Sequence, residues 1–260
     1  MEETFKIQEP QITPQYTAEK SEPPFEVTNV TNIANSKVEI VIPALNEEKN
    51  IEEIIRRVKD LGYDNVLVID GKSKDGTLKV AAKNGAKVVI QKGKGKGNAI
   101  RQVFKNDCID FDVVVLMDAD GSMSPDELPA LIKALATGAD VVKGSRFLKG
   151  GYTHDMTVLR RLGNTMMISA VNLLWSAKFT DLCYGFVAFN KRAIEKLAPV
   201  LTSENFEIET EIFIKALRLG LDVKEIPSTE YKRQNGESNL NTFRDGFKIF
   251  KTIATEFLYS

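Results

Sequence analysis

One histidine, two cysteines and one tryptophan are spread over 260 residues, and each scarcity removes a class of chemistry. His154 alone cannot supply a histidine metal centre, and no Ser-His-Asp triad surrounds it; it reads as a solvated loop residue. Cys108 and Cys183 lack zinc-ligand spacing. The chain start has neither the basic stretch nor the apolar core of a secretory leader, so both cysteines read as reduced, small core hydrophobes. No apolar run approaches the roughly 20 residues a spanning helix needs, which leaves only peripheral membrane contact. Net charge is −1, with 35 basic and 36 acidic residues, so nothing in the balance points to nucleic acid.

What charge there is lies unevenly. Residues 1–36 hold six glutamates against Lys6 and Lys20, together with four of the nine prolines, and show no helical or strand period. They read as a flexible acidic tail. The remaining body is slightly basic, which suits an anionic substrate or a lipid surface. The expected organisation is a tail over 1–36, one α/β domain over 37–240, and an amphipathic helix over 241–260.

From Lys37 strand and helix signals alternate: strands at 38–42, 66–69, 87–90, 113–117 and 141–144, with helices at 47–61, 75–84, 97–105 and 124–136 between them. Such alternation predicts a mostly parallel sheet with helices on both faces. Beyond residue 145 the pattern loosens into helices at 160–179, 204–219 and 241–258 and strands at 187–190 and 223–227. The last helix carries Phe243, Phe247, Phe250, Ile253, Ala254 and Phe257 at helical spacing, a face expected in the core or docked on a membrane or a second copy.

Val113 to Met117 sets five apolar residues against Asp118-Ala119-Asp120, two carboxylates one residue apart. In open α/β sheets ligands collect just beyond the carboxyl ends of the strands, and a carboxylate pair there suits a divalent cation carrying phosphates. Three more turns converge on the same rim. Ile42-Pro43-Ala44-Leu45-Asn46-Glu47-Glu48 ends the first strand, where Asn46 can equally serve as a helix cap. Asp70-Gly71-Lys72-Ser73-Lys74-Asp75-Gly76-Thr77 ends the second, and Asp70 can accept hydrogen bonds from a nucleobase or ribose or merely form a turn. Gln91 to Ala99 alternates glycine and lysine, ending on Lys96 beside a helix start that suits phosphate.

This ordered set resembles family 2 glycosyltransferases of the GT-A fold, and within them the branch of dolichol-phosphate mannose synthases and related polyprenyl-phosphate sugar transferases. Further matching pieces are Gly144-Ser145-Arg146-Phe147, Arg160-Arg161, Asp181 to Phe186 and Phe206 to Glu211. The resemblance covers nearly everything from Lys37 to about Asn241. It implies a Rossmann-like, mostly parallel α/β sheet with acceptor-side helices near the C-terminus. It also implies that Pro43, Leu45, Glu47, Ile69 and Asp70 line the base and ribose pocket, with Asp118, Ala119 and Asp120 at the metal and diphosphate. Arg146 and Arg233 would face phosphates. The chain departs from the family at Gly71, where a second aspartate is frequent, at Ser122, where the branch often has glutamine, and at Asn239, where many members carry lysine.

The expected reaction is inverting transfer of a hexose from a UDP- or GDP-sugar with Mg²⁺ or Mn²⁺ on Asp118 and Asp120. A polyprenyl phosphate acceptor is already anionic and needs only orienting cations, for which Arg160, Arg161 and Arg233 are candidates. A glycan or small-molecule hydroxyl would instead require a carboxylate base, Asp181 or Glu209. The expected catalytic set is Asp120, Arg146, Arg161, Asp181 and Arg233. The expected setting is the cytoplasm or the cytoplasmic membrane face, with a second copy of the chain as a further candidate partner. A nucleotide-sugar binding protein without catalysis is the reading from another class, and the intact Asp118-Asp120 pair speaks against it.

Overall fold

The computed structural model describes residues 37–106, 110–236 and 240–259. The expected tail, Cys108 and the departure at Asn239 lie outside the described residues. The elements run β1 (Val38–Ala44), α1 (Ile51–Asp60), β2 (Val66–Asp70), α2 (Thr77–Lys83), β3 (Lys87–Ile90), α3 (Lys96–Asn106), β4 (Val113–Leu116), α4 (Leu128–Ala136) and β5 (Val141–Ser145). They continue through β6 (Tyr152–Thr153), α5 (Val158–Trp175), β7 (Val187–Asn190), α6 (Lys191–Leu197), α7 (Ile208–Arg218), β8 (Val223–Pro227), β9 (Thr229–Glu230) and α8 (Thr242–Leu258).

Seven strands form one sheet in the order β3-β2-β1-β4-β7-β5-β8, while β6 and β9 pair separately. The central strands read as continuous apolar runs because both faces are covered. Val41, Leu67, Ile69, Val114 and Leu116 pack beneath α3, α5, α7 and α8. Their alternating neighbours Ile40, Ile42, Val66, Val68 and Val115 pack against α1, α2 and α4 on the other side. This is the fold expected from the sequence, with one reversal: β7 runs antiparallel to β4 and β5. Because it runs against its neighbours, the residues that lead into β7, Asp181 to Phe186, arrive at the rim where β4 and β5 end. The amide of Gly144 donates to the Phe186 carbonyl at 2.9 Å there.

Several boundaries move for local reasons. Helix α5 begins after Thr157, whose hydroxyl accepts from the Arg160 amide, and ends at Ser176, which takes a left-handed conformation with φ 52°. Phe179 is therefore outside the helix, held by Asn172 through two side-chain hydrogen bonds. Helix α7 starts at Ile208, not 204, because residues 203–205 pack against the start of α3 instead. The short α6 was not anticipated; the Asn190 side chain caps it by accepting from Ala193.

Helix α8 divides the expected face, with Ile253 in the core and two of its phenylalanines outside it. Its buried stripe is Asp245, Ile249, Ile253 and Glu256. Phe243 and Phe247 are 78% and 71% exposed, so the aromatic face points away from the core.

Candidate active site

Four turns at the rim hold one another before any substrate arrives. Asn46, with φ 58°, donates its amide to Ser73 Oγ at 2.8 Å and accepts from the Lys74 amide at 2.8 Å. The Glu47 amide donates to Thr77 Oγ1 at 2.8 Å. Asp70 is fully buried, and its Oδ2 accepts from the amides of Lys72 and Ser73 at 2.8 and 2.9 Å, which fixes the turn after β2. Its Oδ1 is buried with no partner, an acceptor left over.

After β4 the chain turns sharply. Asp120 Oδ1 accepts from the Ser122 amide at 3.0 Å, and Gly121 takes φ 77° between them. The segment after β9 clasps this turn: the Tyr231 amide donates to the Ser122 carbonyl at 2.8 Å, and that of Gln234 to the Asp120 carbonyl at 3.3 Å. Arg233 is thereby carried over the rim, where it contacts Glu47 at 2.9 Å and Asp120 at 3.2 Å.

Asp118 faces the other cation. Lys96, at the first turn of α3, sits 2.5 Å from Asp118 Oδ1 and 2.7 Å from Glu209 Oε1. Burial alone would favour the neutral amine, but the two carboxylates outweigh it and hold Lys96 as an ammonium well above its ordinary pKa. Burial pushes the Glu209 carboxyl up, and Lys96 offsets only part of that rise. The glycines flanking Lys96 serve packing more than phosphate approach. A Cβ at Gly95 or Gly97 would collide with the backbone of Glu204 or Ser203.

A cleft of about 900 Å³ joins these groups, running from Pro43, Ile69 and Gly71 past Asp118 and Asp120 to a second lobe between α5 and α8. Among the described residues no group of three or more histidine, cysteine or acidic side chains stands ready for a metal ion. Asp118 and Asp120 are two hard oxygen donors. Such a pair fits Mg²⁺ or Mn²⁺ when substrate phosphate oxygens and water complete the shell.

Residues 39–198 match the family described as Glycosyl transferase family 2. The chain belongs to that family. This family 2 glycosyltransferase is 37% identical over 214 residues to Glycosyltransferase AglJ of Haloferax volcanii, covering 81% of this chain and 69% of that one. It is 32% identical over 217 residues to a dolichyl-phosphate hexose transferase of the same organism, covering 82% of this chain and 91% of the other. Among solved structures it is similar to glucosyl-3-phosphoglycerate synthase of Mycobacterium tuberculosis, crystallised with Mn²⁺, UDP-glucose and phosphoglyceric acid. The TM-score is 0.69 at 22% identity, covering 86% of this chain and 80% of that one, a likeness of fold. The chain is thus an enzyme, and the reading as a binding protein without catalysis is set aside.

The structure of this glycosyltransferase sorts the candidate residues. Pro43, Leu45, Glu47, Ile69, Lys96, Asp118, Ala119, Asp120 and Arg233 line the cleft. Asp70, expected in the base and ribose pocket, and Asp181 do not: both are 0% exposed, and Asp181 is locked to Arg146, at 2.7 Å from Oδ2 to Nε and 2.9 Å from Oδ1 to Nη2. Asp181 corrects the expectation of a base there. Burial works against its carboxylate, yet the Arg146 guanidinium outweighs it and holds the pKa below the usual range.

Arg146 touches the cleft but is no free cation. Its Nη1 bonds Glu230 at 3.0 Å and its Nη2 also donates to the Cys183 carbonyl at 2.8 Å, so the expected phosphate contact gives way to a neutralised cluster. Nearby Lys143 is fully buried, donating to the Asp181 carbonyl and paired with Glu225 at 3.2 Å. Arg161 is exposed, its guanidinium 5.4 Å from the Phe147 ring centre, and it does not line the cleft. Arg160 does, one residue earlier. Burial pushes the Cys183 thiol up to about 12, which fits the inert role expected of it.

Sequence reasoning missed Arg244, Asn164 and Glu230, all of which line the cleft. Thr-Phe-Arg-Asp at the start of α8 offered a signal for Arg244, because Asn241 and Asp245 around it have the look of a helix cap. The Asn241 side chain does accept from the Arg244 amide at 3.0 Å. No local signal pointed to Glu230, which depends on a partner 84 residues away.

Proposed function

We propose that this enzyme moves a hexose, with inversion, from a nucleoside diphosphate sugar to a polyprenyl phosphate, with a divalent cation held by Asp118 and Asp120. One observation carries the reading. The cleft is continuous from the acidic rim to the lobe between α5 and α8, and at that junction it presents Arg160 and Arg244 while Asp181 is sealed. An anionic acceptor needs cations that orient it and no base; a hydroxyl acceptor needs the reverse. The names of the relatives, which include dolichyl-phosphate hexose transferase, support the same acceptor class.

When bound, the cation would act as a Lewis acid toward the leaving diphosphate. The chain's own residues do the rest. Pro43, Leu45 and Ile69 would wall the nucleoside end, and the buried Asp70 behind them fixes the turn that follows β2. Lys96 and Arg233, both already at the carboxylates, are placed to follow the charge that develops on the diphosphate oxygens. Arg160 and Arg244 would draw the acceptor phosphate toward the anomeric carbon, the nucleophilic oxygen bonding to it as the diphosphate leaves with the electron pair.

The test is a panel of UDP- and GDP-sugars with Mn²⁺, with and without a short polyprenyl phosphate, scored for release of nucleoside diphosphate. Lipid-dependent release is expected. Release stimulated by a hydroxyl acceptor and not by the lipid would favour Glu209, a carboxylate in the cleft whose pKa burial raises, as base.

The arginines give a second expectation. Arg160→Ala should lower kcat/KM for the lipid phosphate about 10-fold or more, of the order of one lost charge-assisted contact. Arg161→Ala should change it less than about 2-fold, as befits an exposed side chain. The ratio of the two, measured with one donor, checks the assignment.

A further inference from the structure

We infer that the trough between α5 and α8 receives the first isoprenoid units of the acceptor, with Gly163 and Gly246 as its floor. The inference rests on the polyprenyl phosphate reading above. The two helices run side by side in the same direction. They are pinned at their starts, where Arg160 Nε donates to Thr242 Oγ1 at 3.3 Å, and at their ends, where the rings of Trp175 and Phe257 meet at 6.0 Å. Between the pins each helix carries a glycine that lines the cleft.

Glycine is a poor helix former, and inside a helix it is usually accounted for by the close approach of a neighbouring backbone. Neither glycine is approached closely. A Cβ at Gly163 would meet nothing within 4 Å, and one at Gly246 would meet only Met167 Cε at 3.8 Å. What the missing side chains provide is open space. Leu159, Met167 and Ile249 wall that space with apolar surface, and Arg160 and Arg244 line the same cleft at the first turns of the two helices, Arg244 with its Nε donating to the buried Asp245 at 3.3 Å. One phosphate at the cationic end and an apolar chain along the trough match this distribution of charge.

Leu162, Met166, Phe243 and Phe247 are exposed on the first turns of the same two helices, so a chain leaving the trough meets apolar surface beside it. Where trough and donor cleft meet, Asn164 is 3% exposed and its Nδ2 donates to Asp181 Oδ1 at 3.1 Å. A carboxylate only accepts, so the amide orientation is fixed and Oδ1, which has no partner, is left for a ligand donor such as a sugar hydroxyl.

The experiment compares the full chain with Gly163→Leu and Gly246→Leu, leucine being a better helix former than glycine. Acceptors are polyprenyl phosphates of one, three and about ten isoprene units, assayed with the sugar donor and Mn²⁺. In each variant kcat/KM should fall by roughly 10-fold or more for the three- and ten-unit acceptors relative to the one-unit acceptor, while calorimetric donor affinity stays within about 2-fold. Gly163→Ala, with a smaller intrusion, should give a lesser effect of the same sign. That graded series keeps the test decisive should a leucine variant fold poorly. Equal rates at all three chain lengths in the folded variants would overturn the trough. A wild-type protein that transfers to no polyprenyl phosphate would overturn the acceptor class instead.

Discussion

Asp120→Ala should lower turnover by about three orders of magnitude while leaving the protein folded. The carboxylate is at the mouth of the cleft, where it accepts from one amide and meets one arginine, so little packing is lost with it. On the proposed reading the variant loses a ligand for the divalent cation, a contribution of several kcal/mol in comparable sites, and about 1.4 kcal/mol corresponds to each tenfold in rate. Release of nucleoside diphosphate measures the first part, and a thermal melt within a few degrees of wild type the second. Unaltered rates would remove the carboxylate pair from the chemistry. Chelation of divalent ions should reproduce the loss in the wild-type enzyme and add little in the variant.

Asp181→Ala should have the opposite profile, with stability collapsing first. The substitution strips the counter-charge from Arg146 and leaves a guanidinium, 5% exposed, with only Glu230 and a backbone carbonyl. Removing one partner of a buried pair costs about 3–5 kcal/mol, equivalent to a fall in melting temperature on the order of 10 °C for a chain of this size. Calorimetry of the variant checks it; a melt unchanged from wild type would show that the cluster contributes nothing to stability.

The same carboxylate sets an acid limit. Its folded pKa lies below the ordinary value, so the unfolded chain binds the proton more readily. The stabilisation is complete above the unfolded pKa and disappears as pH falls through the lower, folded one. Asp181→Asn should therefore flatten the loss of stability below about pH 4.

Where sequence reading succeeded, the information was local. The apolar runs at 66–69 and 113–117 locate β2 and β4, and the turns that follow them locate the rim, because a strand covered on both faces has no alternation to disguise it. The direction of β7 was not legible. Val-Ala-Phe-Asn is as consistent with a parallel as with an antiparallel strand, and only pairing with β4 and β5 decides. The partners of Arg146 were not legible for a similar reason: an arginine just beyond a strand looks the same from the sequence whether or not it meets the carboxylates of Asp181 and Glu230, 35 and 84 residues downstream. The phenylalanines of α8 have correct helical spacing, but two of them face outward, since periodicity identifies a stripe without saying which neighbour covers it.

The opposed cations at the rim have one more consequence. Each acid of the pair already holds an organic cation, Lys96 on Asp118 and Arg233 on Asp120. On the proposed reading, loading the site would be an exchange of counter-ions rather than the filling of vacant acids, and an incoming diphosphate would bring anionic oxygens for both displaced side chains. Because Arg233 also tethers Glu47, the same exchange would release the contact between the segment after β9 and the turn after β1.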